Sequence, residues 1–418
     1  MIKFDRFTLE NGLTVLFHQD KTSPIVAMNI LYNVGARDEN PELTGFAHLF
    51  EHLMFGGSAN IPKYDVPLEK VGGENNAFTN NDFTNYYLTV PVENIETAFW
   101  LESDRMLNLA FSEKSLEVQR KVVIEEYKQR YLNQPYGDIW LLLRPLIFKV
   151  HPYRWATIGK DIEHIEKATM EDVKDFYTRF YNPTNAILSI VGDLTLDYVK
   201  ELCIKWFEPI EGGKPYHRSL PVEPPQSEPN FLEVERDVPV NALYKIYRMC
   251  SRLDADYHAT DLLSDVLSNG NSSRLHLELH KKKGLFSQIS AFISGDLEPG
   301  FFVVAGYLND GVDMKEADET ITAELNKLIT SGVEEEELQK VKNKVEANLI
   351  YSEISGLDKA MNLGYFELLG DAEMANNEID KYLKVEVSDI IRVASKLFDP
   401  ANSTTLYYRA KSQDTQNN

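Results

Sequence analysis

His48, Glu51 and His52 stand within five residues of one another, in the order His-Leu-Phe-Glu-His. On a helix, His48 and His52 share a face, with Cβ atoms roughly 5–6 Å apart. Two imidazoles so placed can reach one ion at the ~2.0–2.1 Å of a Zn–N bond. Glu51, three residues after His48 and beside His52, can then turn its carboxylate toward a water in the open coordination position, as a base and not a ligand. The run from Thr44 to Gly57 is composed of good helix formers and closes on Gly56-Gly57, a C-terminal stop. The chemistry this pattern predicts is activation of water by a metal ion.

A third protein ligand has to come from elsewhere. The stretch 112–130 reads as a helix, with Ser112 able to cap it and Glu113 suited to its first turn. Leu116, Val123 and Tyr127 recur at helical spacing and mark an inner face. Glu126, four residues after Val122 and three after Val123, lies beside that stripe, whereas Glu125 points further toward solvent. Spacing alone leaves Glu126 as either a solvated helix residue or a ligand arriving from a second helix.

His48-Leu-Phe-Glu51-His52, followed by Arg120-Lys-Val-Val-Ile-Glu-Glu126 whose last residue lies 74 beyond His52, resembles the pitrilysin/insulysin family of zinc peptidases, the inverzincins. Within it, length and motif order are similar to the processing-peptidase β-subunits of mitochondria and their bacterial relatives, from Phe7-Thr-Leu-Glu-Asn-Gly-Leu-Thr-Val15 to the C-terminal region. The resemblance implies one Zn2+ per chain on His48, His52 and Glu126, with Glu51 as general base. Gln119 stands where relatives carry a further acidic residue, so the surroundings of the metal are expected to differ. The implied activity is that of a zinc metalloendopeptidase acting on extended or unfolded peptides inside a closed chamber.

The polar, Asn-rich stretch from Gly72 reads by composition as a surface loop and hairpin, ending in a strand over Tyr86–Val90. In the family, Asn-Ala-x-Thr is an exposed edge strand to which a substrate peptide adds by main-chain hydrogen bonds, which maps substrate binding to Asn76, Ala77, Phe78 and Thr79. Relatives also carry an Arg and a Tyr, seven apart, in a C-terminal segment resembling Ser273–Ser287, where this chain has His280 and Ser287. Neither is an always-charged forked donor or a phenol. The expected partner is therefore a homologous subunit that supplies the Arg/Tyr pair in a heterodimer, with a homodimer as the runner-up. Two other readings are a non-catalytic scaffold, like the respiratory-complex core subunits that resemble this family, and, more remotely, a zinc-dependent small-molecule lyase.

These residues need elements to hold them. At 418 residues and 43% hydrophobic composition, the chain can bury one large or two ordinary cores. Glu171–Val191 recurs in outline as Ser388–Tyr408: Asp172 matches Asp389, Pro183 matches Pro400 and Asn185 matches Asn402, all at an offset of 217. An amphipathic helix ends before Asn/Asp-Pro in each copy and a β-rich run follows. Six prolines and a Gly pair mark residues 209–229 as a linker. The expected plan is α+β, with homologous domains at 1–208 and 230–418, each a mainly antiparallel sheet covered by helices on one face. A net charge of −22 argues against nucleic acid and anionic membrane surfaces. Cys203 and Cys250 are too few for a disulfide framework, and no apolar stretch has membrane-spanning or signal character. A cytoplasmic chain is expected, or a periplasmic one if a signal segment has been removed.

Overall fold

Two sheets built on one plan organise the chain in the computed structural model, which describes residues 1–411. The first contains β1 (Asp5–Thr8), β2 (Thr14–Gln19), β3 (Ile25–Tyr32), β4 (Glu74–Thr79), β5 (Thr84–Pro91) and β6 (Ala186–Gly192), in the order β1-β2-β6-β3-β5-β4. The second contains β7 (Asn230–Arg236), β8 (Ala242–Arg248), β9 (Phe286–Ile293), β10 (Phe301–Leu308) and β11 (Ser403–Ala410), in the order β7-β11-β8-β10-β9. In each, one parallel pair (β2 with β6, β7 with β11) is followed by antiparallel neighbours. Apart from the extra edge strand β1, the sheets correspond strand for strand in topology, so the sequence repeat is a structural duplication.

The helices that carry the metal centre and the repeat, or pack on the sheets, include α1 (Phe46–Phe55), α2 (Glu113–Tyr127), α3 (Ile139–Ile147), α4 (Met170–Phe180), α5 (Gly356–Leu368) and α6 (Val387–Leu397). α4 and α6 begin and end 217 residues apart, as do the single turns Pro183–Asn185 and Pro400–Asn402 that come after them. The matched residues do matched work. Asp172 accepts the Thr169 N–H at 2.9 Å and Asp389 the Glu386 N–H at 3.0 Å, each at a helix start. Asn185 Nδ2 donates to the Phe180 carbonyl at 3.0 Å and Asn402 Nδ2 to the Leu397 carbonyl at 2.9 Å, each satisfying a helix-end acceptor that the Pro-led turn leaves open.

The chain forms two compact units that do not follow the expected boundaries. One comprises residues 1–132, 150–222 and 349–377, the other 133–149, 223–348 and 378 onward. Residues 207–229 contain no helix or strand, yet this stretch is not a free tether. Arg218 in it pairs with Asp38 at 2.7 Å, and the Tyr216 ring lies 4.9 Å from Phe180, within the first unit. Both cysteines are free thiols.

The interleaving exchanges one helix each way. α5, from the second half of the sequence, covers the first sheet: its Ala360 and Leu363 pack with Leu16 of β2, Ala27 of β3 and Val191 of β6. Residues of the other parity face the opposite side. There Tyr32 meets Tyr86 and Tyr181, and Tyr181 stacks on Phe50 of α1. α3 does the same in the second unit, with Trp140 against Tyr244 and Phe301, while Tyr247 and Phe302 pack on Phe398 at the other face. The central strands are therefore covered on both faces, not one as the sequence suggested. A strand that is buried on both sides reads as a near-continuous apolar run, as β3 does apart from Asn29.

Candidate metal centre

α1 presents the paired imidazoles because its other residues are committed to the core. Phe46, Leu49, Phe50 and Leu53 form a buried stripe at helical spacing, and Phe50 stacks on Phe176 of α4 at 4.9 Å. His48, Glu51 and His52 occupy the flank of that stripe and stay partly accessible. Both helix ends are fixed. Glu39, itself buried, accepts the N–H groups of Gly45 and Ala47 at 2.9 Å each, which satisfies orphan donors at the positive end of the helix. At the other end Gly57 takes φ +98°, and a Cβ there would stand 2.6 Å from the Pro62 carbonyl oxygen. The helix stops at the glycine pair, as the sequence indicated.

The His48 and His52 rings lie 4.8 Å apart and perpendicular. Glu126 Oε2 approaches His52 Nε2 to 3.3 Å and His48 Nε2 to 3.6 Å. A tetrahedral ion with bonds near 2.1 Å requires ligand atoms about 3.4 Å apart, so this donor set fits zinc in both chemistry and spacing. It is the one such cluster among the described residues. α2 delivers Glu126 as its sequence implies: Ser112 accepts the Ser115 N–H, and Leu116, Val123 and Tyr127 are buried. Helix phase separates the two neighbours. The Glu126 side chain is 18% exposed and turned to the imidazoles, whereas Glu125 is 61% exposed and pairs with Lys128.

Glu51 contributes no atom to that cluster. Its Oε2 accepts the Thr79 hydroxyl at 2.7 Å, which ties the carboxylate to β4. Among the described residues β4 pairs only with β5 and is the open edge of its sheet. Thr79, Ala77 and Asn75 face the half-buried side, while Asn76 and Phe78 are exposed. Asn76 Oδ1 accepts the N–H of Ala77 at 2.8 Å. Of the four residues expected to bind substrate, Thr79 alone is joined to Glu51, and all four lie on the edge strand. Burial holds the His48 imidazole down to about 4, which keeps it neutral as a ligand must be. Burial pushes the Glu51 carboxyl up, against the Thr79 hydroxyl, whereas the hydrogen bond from His52 draws Glu126 down.

Two residues at the site escaped the sequence reading. Arg130 Nη1 holds Glu126 Oε1 at 2.9 Å, a pairing that i,i+4 charge patterning could have flagged. Glu39 lies six residues before Gly45, too far for a local capping signal. His280 and Ser287 belong to the second unit. His280 Nδ1 lies 2.8 Å from the Phe286 carbonyl oxygen, and the Ser287 hydroxyl donates to the Tyr307 carbonyl at 3.1 Å.

Residues 14–135 match the insulinase family, peptidase family M16, and residues 167–345 match the peptidase M16 inactive domain. The chain belongs to peptidase family M16. The zinc protease PqqE of Helicobacter pylori is 31% identical over 417 residues, covering 97% of this chain and 93% of that protein. The crystal structure of a protease from Helicobacter pylori matches with a TM-score of 0.91 at 30% identity, over 98% of this chain and all of the other. Pitrilysin, at 18% identity, shares the fold alone: its crystal structure gives a TM-score of 0.79, covering 98% of this chain and 45% of that one. Zinc is the metal of M16 relatives, and the convergent triad lies in the insulinase-type part of the chain. No helix among the described residues is long and apolar enough to cross a membrane.

Proposed function

We propose that this M16 protein is a zinc metalloendopeptidase that hydrolyses extended or unfolded peptides inside a closed chamber, as the catalytic subunit of a heterodimer. The observation that carries the reading is the convergence of His48, His52 and Glu126, with Glu51 beside them, outside the ligand set and tied to an open strand edge. Zinc in this site supplies a water of lowered pKa and a Lewis acid for the scissile carbonyl. Glu51 takes the water proton on its carboxylate and returns it to the departing amine nitrogen. The free edge of β4 offers main-chain N–H and C=O groups to an extended peptide, which aligns it without demanding one sequence. Thr79 keeps the carboxylate turned toward that strand.

The partner follows from what His280 and Ser287 lack. An Arg/Tyr pair for the developing oxyanion is supplied by a homologous subunit, and donors of that kind are typically worth about 10²–10³ in rate. The scaffold reading has the intact ligand set against it. Metal analysis and quenched-peptide hydrolysis, with the chain alone and with its partner, test the proposal. We expect bound zinc, slow turnover alone, faster turnover with the partner, and none for Glu51→Gln in either. Turnover that is indifferent to Glu51→Gln would overturn the assignment.

A further inference from the structure

The two carboxylate oxygens of Glu126 do separate work. Oε2 faces both imidazoles, while Oε1 is held by Arg130 Nη1 at 2.9 Å. Arg130 does not sit on regular α-helix. After Tyr127 the backbone widens into a π-turn, Lys128–Leu132, and the Tyr131 ring packs at 5.6 Å on that of Tyr127, which is buried. Such wide turns are frequent at functional sites. Here the turn brings a guanidinium, always charged and with a planar fork of donors, to the back of the carboxylate.

As a stabilising pair this contact is minor. The Arg130 side chain is 70% exposed, and exposed i,i+4 pairs contribute about 0.3–0.5 kcal/mol. Its weight falls on the metal site instead. His48 Nδ1 is buried without a hydrogen-bond partner, so that ring is oriented by packing. Gln119, one heptad before Glu126, brings no charge. The cation fixing the third ligand is Arg130.

We propose that Arg130 is a positioning residue for the metal: by occupying Glu126 Oε1 it leaves Oε2 as the single oxygen turned to His48 and His52. The inference rests on the reading of those three residues as zinc ligands. Competition with a chromophoric chelator measures zinc affinity, and the visible spectrum of the Co2+-substituted protein reports ligand geometry independently of turnover. Both are compared for the unaltered protein, Arg130→Ala, Arg130→Lys and, as a control on the neighbouring surface pair, Lys128→Ala. Arg130→Ala is expected to weaken zinc by ~10–100-fold and to alter the cobalt spectrum, in line with other outer partners of metal ligands. Arg130→Lys should recover part of both, and Lys128→Ala should change neither. Zinc affinity and cobalt spectrum unchanged in Arg130→Ala would overturn the role of Arg130 and leave the zinc site standing. An unaltered protein that binds no zinc would overturn the site and this inference with it.

Discussion

A difference of one residue along α2 turns a side chain by about 100°, and that angle separates a carboxylate turned to the imidazoles from a surface charge. Glu126→Ala should therefore abolish zinc binding, while Glu125→Ala leaves metal content and turnover unchanged; metal analysis after dialysis decides. Zinc retained in Glu126→Ala would move the third ligand elsewhere. Thr79 poses a subtler question, because its hydroxyl touches Glu51 and not His48, His52 or Glu126. Thr79→Val keeps the shape of the side chain and removes the donor. It should keep zinc and lower kcat by roughly tenfold, a modest share of what a positioned base contributes, with little change in KM. A change in KM alone would show that Thr79 serves the substrate and not Glu51. The grouping of His48, Glu51 and His52 was legible because they lie within about one helical turn. Glu126 became legible only once the phase of α2 was fixed by Leu116, Val123 and Tyr127, and Arg130 was legible as an i,i+4 partner of Glu126 but its place on a π-turn was not.

The helix that carries the imidazoles is pinned at an end that sequence could not show. Glu39 reaches Gly45 and Ala47 from outside the helix, so its capping role exists only in the folded chain. Glu39→Ala leaves two buried N–H groups without partners and should destabilise the fold by about 2–4 kcal/mol. Urea unfolding monitored by circular dichroism measures it, and a loss below about 0.5 kcal/mol, the usual range for a surface change, would contradict the role. The opposite end was readable, since paired glycines after an apolar helix are a stop signal. β4 was only half readable. Its Asn-rich composition suggests a loop, and it becomes a strand because a sheet edge leaves one side of the backbone and alternate side chains in solvent, where polar residues are at home. The two-sided cover of β3 was missed for a related reason. An amphipathic helix declares that it needs a sheet but not which one.

At the scale of the molecule, the duplication was visible as one repeated offset, whereas the exchange of α3 and α5 was not. α5 is anchored to its adopted sheet by Lys359, which meets Asp20 at 2.7 Å in a nearly buried pair. The ammonium, and after it Thr22, hold the Asp20 carboxyl well below the usual carboxylate range. A value lower in the folded than in the unfolded chain adds stability that is complete above about pH 4 and drains as pH falls through the folded value. Asp20→Asn should thus reduce the unfolding free energy by about 2 kcal/mol at pH 7, and the gap to the unaltered protein should close under acid. A gap independent of pH would mean that the pair's electrostatics are idle. Separately expressed 1–208 and 230–418 each lack the helix that covers one face of their sheet, so neither should unfold cooperatively alone; sharp melts for either would contradict the exchange. The exchange also puts a clock on synthesis. The unit that carries His48, His52 and Glu126 has most of its chain by Val222 but needs the segment up to Asn377. At translation speeds of about 5–20 residues per second, roughly 8–30 s pass before that segment exists. For that interval the apolar face that α5 covers has no cover from it, and exposed surface of that kind is what makes a nascent chain prone to aggregation.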